Sequence, residues 1–343
     1  MPDVLPGQTH SVVSLFSGCG GMDLGFRGGF SVFGRRYERH PFEIVWSNEI
    51  NEAACRTYRK NLCQDIRCGD VWDVMGELPK NVDVLIGGFP CQDVSINGKG
   101  AGLGGKRTSL YTAMVEAIKI TSPKIFVAEN VKGLLMQNNR AAFLQIIKDF
   151  NSLGYDLSHA LYHAADYGVP QSRERVFIVG TSAAVGKFVP PPPERTKTGW
   201  MTAREAIGDL EQAGIDERFS HVWSLAKKSH EQGNRRLAAN RPGYTIRAEC
   251  HGNIQFHYDL PRRISMREAA RIQSFPDDFI FDAKLRETER QIGNAVPPVL
   301  AWHIAKAVSG CLERRPLCTH LSSEIARGKF ASKAEYPLTK VIY

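Results

Sequence analysis

Apolar and polar positions in the first half of the chain switch repeatedly between two periods. Val12–Phe16 is a short apolar run that stops at the glycine-rich Ser17–Gly21, and helical spacing begins at Met22. Ile44–Ser47 reads as a second strand and Ala53–Lys60 as a helix, while Val82–Ile86 is β-branched and ends at Gly87-Gly88. Leu110–Ile120 has helical periodicity, Ile125–Ala128 is strand-like, and Ala141–Leu153 is helical again. Parallel strands need crossover connections, and short apolar runs separated by helical segments supply them, so the pattern predicts a doubly wound α/β sheet. Leu157–His163 and Val176–Val179 then look like a closing strand pair.

The pattern breaks at Pro190-Pro191-Pro192-Pro193, which can neither continue a helix nor sit in a central strand and so marks a linker. From there to about Arg262 the periodicity is weak. Positive charge collects between residues 227 and 247, with Lys227, Lys228, Arg235, Arg236, Arg241 and Arg247 set against only Glu231. Regular structure resumes where Ser265 and Glu268 have capping-box spacing ahead of Ala269, Ala270 and Ile272. Pro297-Pro298 precede a second apolar helix running to about Val308, and the stretch from Arg314 to Tyr343 is a polar, basic, loosely held extension.

Composition adds bounds. The 343 residues suffice for one large or two smaller domains, and 43% apolar with 23% charged content is ordinary for a globular enzyme. No window reaches about 18 uninterrupted apolar residues, and Met1–His10 carries no secretory pattern, so a cytoplasmic protein without a membrane span is expected. The eight cysteines show no CxxC pair and no zinc-ligand spacing; no metal is expected, and at most one or two thiols should be chemically active. A formal charge of +8 suits a polyanionic partner without identifying one.

Six short motifs carry the chemistry. In order they are Phe16-Ser17-Gly18-Cys19-Gly20-Gly21, Gly88-Phe89-Pro90-Cys91-Gln92, Glu129-Asn130-Val131, Gln171-Ser172-Arg173-Glu174-Arg175, Arg267 through Pro276, and Gly293-Asn294-Ala295-Val296-Pro297. On the residues alone, the glycine loop fits a plain βα turn or a dinucleotide site equally well. Cys91 follows the Val82–Ile86 strand, and Glu129 ends the next one, so both should emerge at the carboxyl edge of the sheet, where ligands of open α/β folds collect. A buried, inert cysteine and a helix-capping carboxylate are the plain alternatives.

Together, in this unpermuted order, the motifs resemble those of bacterial DNA (cytosine-5)-methyltransferases of restriction–modification type, over roughly residues 11–180 and 262–308. The resemblance implies a Rossmann-like, S-adenosylmethionine-dependent methyltransferase sheet with a second, smaller target-recognition domain. It implies a catalytic cofactor-binding domain over residues 1–185, target recognition over 186–261, a bridging helix and a returning final helix over 262–310, and an extension over 311–343. It makes Cys91 the nucleophile that adds to C6 of a flipped cytosine and Glu129 the group at N3 and the exocyclic amine. Of Arg173 and Arg175, one would hold the base carbonyl and the other support the site, with surface charge as the plain alternative.

The cofactor would lie on Phe16, Ser17, Gly18, Cys19, Gly20 and Gly21. Glu49 beside Ile50 would hold the ribose, Asp70 beside Val71 the adenine amine, and Pro90, Leu110, Asn294, Ala295 and Val296 would complete the pocket. Glu49 and Asp70 could equally cap helices, and for Asp70 the two readings balance. The glycine-rich, basic Gly98–Arg107 corresponds to the loop that closes on DNA in this family. Double-stranded DNA is the implied partner, for a monomer acting in some systems beside a restriction endonuclease of the same site. A tRNA-modifying branch of the family, a nicotinamide oxidoreductase and a catalytically silent relative are the competing classes. The absence of that branch's Cys-Phe-Thr signature, the missing GxGxxG, and the presence of Cys91 with Glu129 argue against each in turn.

Overall fold

The computed structural model describes residues 9–62, 65–89, 110–225, 235–248 and 255–313. Pro90, Cys91, the Gly98–Arg107 segment, Lys227, Lys228 and the tail from residue 314 lie outside the described residues.

The expected doubly wound sheet is present. Strand β1 (His10–Leu15) leads through helix α1 (Gly21–Arg27) and a short hairpin, β2 (Phe30–Val32) and β3 (Arg35–Tyr37), into β4 (Phe42–Glu49). Helix α2 (Glu52–Asn61) and the two-residue β5 (Arg67–Cys68) precede β6 (Val84–Gly88), and α3 (Leu110–Thr121) precedes β7 (Ile125–Val131). Helix α4 (Arg140–Asn151), β8 (Asp156–His163), β9 (Gln171–Ser172) and β10 (Glu174–Thr181) complete the first part. The main sheet has seven strands in the order β5-β4-β1-β6-β7-β10-β8, parallel from β5 to β7 and antiparallel at β10 and β8.

Strand residues alternate between two cores. Val12, Val84, Ile86, Ile125, Val127 and Phe177 face a layer built from α1 and the C-terminal helices. Val13, Leu85, Phe126, Ala128, Val176 and Ile178 face α3 and α4. Both faces being covered explains why these strands read as continuous apolar runs rather than alternating ones. Because the chain leaves β1 toward β4 and later returns on its other side as β6, the order reverses at the β1–β6 pair. The carboxyl ends of these two strands therefore open a crevice.

Helix α5 (Ala203–Ile207), β11 (Gly243–Tyr244), α6 (Met266–Ile272), α7 (Leu285–Asn294) and α8 (Pro298–Glu313) follow. The Ser265–Glu268 capping box forms as expected, in both directions. The segment around the four prolines has no regular structure, yet the chain is fastened there: Tyr167 donates to the Pro191 carbonyl, and the amides of Glu194 and Arg195 donate to that of Asp166. By length and composition the helical run Leu285–Glu313 could cross a membrane, but 78% of its apolar window is buried within the protein. It is a core element.

Candidate active site

The glycine turn follows β1 directly. Phe16 adopts a left-handed backbone at φ 55°, as do Gly18 at 57° and Gly20 at 95°. Such a conformation in a phenylalanine is uncommon and is held only where the surroundings impose it. Here the Ser17 amide donates to the Asn48 carbonyl, and the Ser14 and Ser17 hydroxyls share a hydrogen bond. The Gly18 amide donates to Oε2 of Glu49 at 2.9 Å, while Oε1 accepts from the Asn51 amide at 2.7 Å. Glu49 thus clamps the glycine turn to the end of β4. Burial pushes its carboxyl above the ordinary range, against the pull of those amides. Each oxygen keeps a further lone pair for a ligand hydroxyl.

A Cβ built at Gly18 would meet nothing within 4 Å, so the turn opens onto free space, and Ile50 beside it is 70% exposed. Gly21 differs: a Cβ there would lie 2.5 Å from the Val296 carbonyl and 3.1 Å from the Ala295 Cβ. The last motif therefore packs directly against the first. Cys19 is buried, with its thiol directed at the Gln291 carbonyl and its pKa pushed far up by desolvation. Asp70 accepts from the Trp72 amide at 3.0 Å, capping a turn rather than a helix, and Val71 is buried in the core. Leu110 begins α3 and packs against that same core, and Asn294 is exposed at the end of α7.

The second half of the site lies across β6, β7 and β10. Gly88 pairs with Glu129, and a Cβ at Gly88 would stand 2.9 Å from Oε2 of that carboxylate. Asn130 donates through Nδ2 to the Phe89 carbonyl at 2.9 Å, fixing the chain as it leaves β6. Across the antiparallel β7–β10 pair, Nε of Arg175 donates to Oε1 of Glu129 at 2.8 Å, both side chains being almost fully buried. Burial holds the Glu129 carboxyl above the usual range, while Arg175 and then Arg173 pull it back down.

Neither arginine is surface charge. Arg173 is 1% exposed and donates to the carbonyls of Ile246 (2.9 Å), Gly293 (2.8 Å) and Ala295 (3.0 Å). It ties β9, the 243–248 segment and the last motif together behind the site.

One clasp escaped the sequence reading. Gln171, fully buried, donates to the Ile272 carbonyl at 3.2 Å and to the Gln273 side chain, and accepts from the Ile246 amide at 3.1 Å. Gln273 in turn donates to the Ala295 carbonyl. The available signal was a glutamine set between Ile272 and Phe275 at the end of the expected helix, since a buried amide needs several partners.

A glycine cradle at a switch point, facing a buried acid–arginine pair across one strand, defines a Rossmann-like α/β enzyme of the methyltransferase kind. The family model for C-5 cytosine-specific DNA methylases matches residues 10–236 and 217–310. The chain is 38% identical to the Type II methyltransferase M.NgoFVII of Neisseria gonorrhoeae, over 87% of this chain and 86% of that one. It is 35% identical to M.BbvI of Brevibacillus brevis, over 86% and 89%. Among solved structures, a protein described as a DNA modification methyltransferase encoded within an E. coli prophage superposes with a TM-score of 0.65 at 23% identity, covering 88% of this chain and 99% of that one. The chain belongs to the C-5 cytosine-specific DNA methylase family. It is a DNA (cytosine-5)-methyltransferase.

Proposed function

We propose that this methyltransferase binds S-adenosylmethionine in the cradle formed by Phe16–Gly21, Glu49, Ile50 and the Ala295-Val296 return, and that Cys91 is its nucleophile. The observation that carries the reading is the junction of β6 and β7. Phe89 is pinned by Asn130 beside Glu129, and Cys91, two residues on, must lie within about 8 Å of Phe89 along the chain. The open space over Gly18, the exposed apolar face of Ile50 and the spare lone pairs of Glu49 fit an adenosyl group. When bound, the cofactor supplies an electrophilic methyl group.

The thiolate of Cys91 adds to C6 of a cytosine turned out of the duplex, at a cost of a few kcal/mol for unstacking. The electron pair of the C5–C6 double bond moves into the ring, toward C5 and N3. Glu129, whose carboxyl burial raises above its ordinary range, shares a proton with N3, so that C5 becomes nucleophilic. Arg175 orients that carboxyl and faces the base carbonyl, while Arg173 holds the framework. Once C5 has been methylated, loss of its proton and departure of the Cys91 thiolate restore the double bond. Residues 186–261 supply target recognition to a monomer acting on cytoplasmic DNA, alongside an endonuclease of the same specificity. The Type II relatives support that pairing.

The test is covalent trapping. A duplex carrying 5-fluorocytosine in the target site should form a denaturant-resistant adduct at Cys91. Cys91→Ser should abolish the adduct and lower methylation by orders of magnitude while cofactor and DNA still bind. Near wild-type turnover in that variant would overturn the covalent mechanism.

A further inference from the structure

Arginines in the second half of the chain differ in how they are paired. Arg204 pairs with Asp259 at 2.7 Å, Arg262 with Glu268 at 2.8 Å, and Arg271 with both Asp209 and Asp277. Arg235, Arg241 and Arg247 are exposed and have no carboxylate partner among the described residues. All three lie within one stretch of thirteen positions. That stretch is joined to the segment leading into β10, because β11 pairs in parallel with β9, setting Tyr244 opposite Ser172.

Arg235 stands apart within this group. Its guanidinium lies 5.6 Å from the centre of the Tyr244 ring, and that ring is 41% exposed. Both backbones are fixed. The Arg235 carbonyl accepts from the Phe256 amide at 2.9 Å, and the Tyr244 carbonyl accepts from the Gln255 side chain at 3.3 Å. On either side of Tyr244, the Gly243 amide donates to the Pro170 carbonyl and the Thr245 hydroxyl to the Ser172 carbonyl. Gly243 admits no side chain, since a Cβ would lie 2.9 Å from Ile272. An arginine resting on a ring whose backbone is held on both sides gives up less rotamer freedom when it binds, and its in-plane donors form a rigid fork. From the strand pairing and chain length, the Cα of Tyr244 is within about 16 Å of that of Arg175, a span of only a few base steps.

We propose that Arg235, steadied on Tyr244, is a specificity-determining residue that reads a guanine in the major groove close to the target cytosine. A planar fork matches the O6 and N7 acceptors of guanine, whereas a phosphate contact requires only charge, which Arg241 and Arg247 provide without a platform. This assignment rests on the reading that residues 186–261 face DNA.

Wild-type enzyme and the variants R235A, R235K, Y244A and Y244F are incubated with a random-sequence duplex library and S-adenosylmethionine, and methylated positions are read by bisulfite sequencing. The wild-type motif should contain a guanine position at which R235A and R235K lose discrimination by about 10- to 100-fold, with the target cytosine and other positions unchanged. Y244A should relax the same position to a lesser degree, and Y244F, which keeps the ring, should not. R235K stands in if R235A fails to fold, as judged by its melting temperature. An unchanged motif overturns the proposal. So does equal weakening at all sequences with a salt slope reduced by about one, the signature of a phosphate contact. If the wild-type enzyme methylates no sequence in the library, the functional reading itself fails instead.

Discussion

The Asn130 side chain donates to the Phe89 carbonyl across 2.9 Å, so that the exit of one central strand is held by the residue after the acid on its neighbour. Glu129 and Phe89, two residues before Cys91 in sequence, are therefore held at the same backbone junction. Asn130→Ala should lower turnover about 100-fold, the cost of roughly 1 Å of misplacement, with cofactor affinity changed only a few-fold. Single-turnover methylation alongside calorimetric cofactor binding would check the split; equal losses in both would contradict it.

Glu129 is held above the ordinary carboxyl range by burial, and Arg175 partly reverses the shift. Under the mechanism we propose, the proton needed at N3 is lost as pH rises through that elevated pKa, so turnover should fall on the alkaline side. Removing Arg175 takes away a charge that lowers the pKa, so Arg175→Ala should move the falling limb to higher pH while reducing its height. Glu129→Gln should lose at least about 100-fold in turnover and show no limb in this window. Rate profiles across pH for the three proteins decide the matter.

Gly18 and Gly21 lie in one turn but should respond oppositely to alanine. At Gly18 the only obstacle is a left-handed backbone over open space, worth about 1–2 kcal/mol of strain. At Gly21 the new methyl would strike the Val296 carbonyl, which belongs to a core helix approach and cannot yield cheaply. Gly21→Ala should be destabilised by at least about 3 kcal/mol, measured by urea unfolding, and should bind cofactor poorly. Gly18→Ala should fold nearly normally.

Asp23 is fully buried behind the glycine turn and accepts from the Tyr58 hydroxyl at 2.8 Å. Desolvation raises its pKa from 3.8 to about 6. Between those values the folded protein keeps a proton that the unfolded chain has lost, so this group's contribution to stability falls as pH rises from about 4 to about 6. The change is about 3 kcal/mol, complete above pH 6. Asp23→Asn should remove that part of the slope, and denaturation at several pH values would reveal a wild-type curve parallel to the variant's if the assignment is wrong.

Arg173→Lys exchanges a fork for a single ammonium and strands at least one of three buried carbonyls. A loss of about 2–4 kcal/mol in stability is expected, with the surviving folded fraction retaining measurable methylation. Arg175→Lys should instead retain most of the stability and lose most of the activity.

The sheet was legible because its strands are continuous apolar runs punctuated by glycine, and both buried faces reinforce the same reading. Observed ends differ by only a few residues, as with β7, which extends past Ala128 to carry Glu129 and Asn130. The β2–β3 hairpin was not read: its strands are three residues long, and its left-handed turn falls on Phe33-Gly34 rather than on an asparagine–glycine pair. Helix α5 hid in a region of weak periodicity, although Thr202 and Glu205 form the same capping box that revealed α6. In the site, the motifs located Glu129 and the glycine turn. They could not separate Arg173 from Arg175, because the difference lies in tertiary partners: three distant carbonyls around Arg173 and the Glu129 carboxylate beside Arg175. The clamp role of Glu49 likewise depends on a loop thirty residues away.

The Val296 carbonyl seated against Gly21 joins two points separated by most of the chain. During synthesis the strands that carry Gly88 and Glu129 emerge from the ribosome long before the segment that packs on the glycine turn. A nascent or prematurely terminated chain can therefore expose the first half of the fold with its glycine turn uncovered, and that turn is completed only once the segment around Val296 has been made.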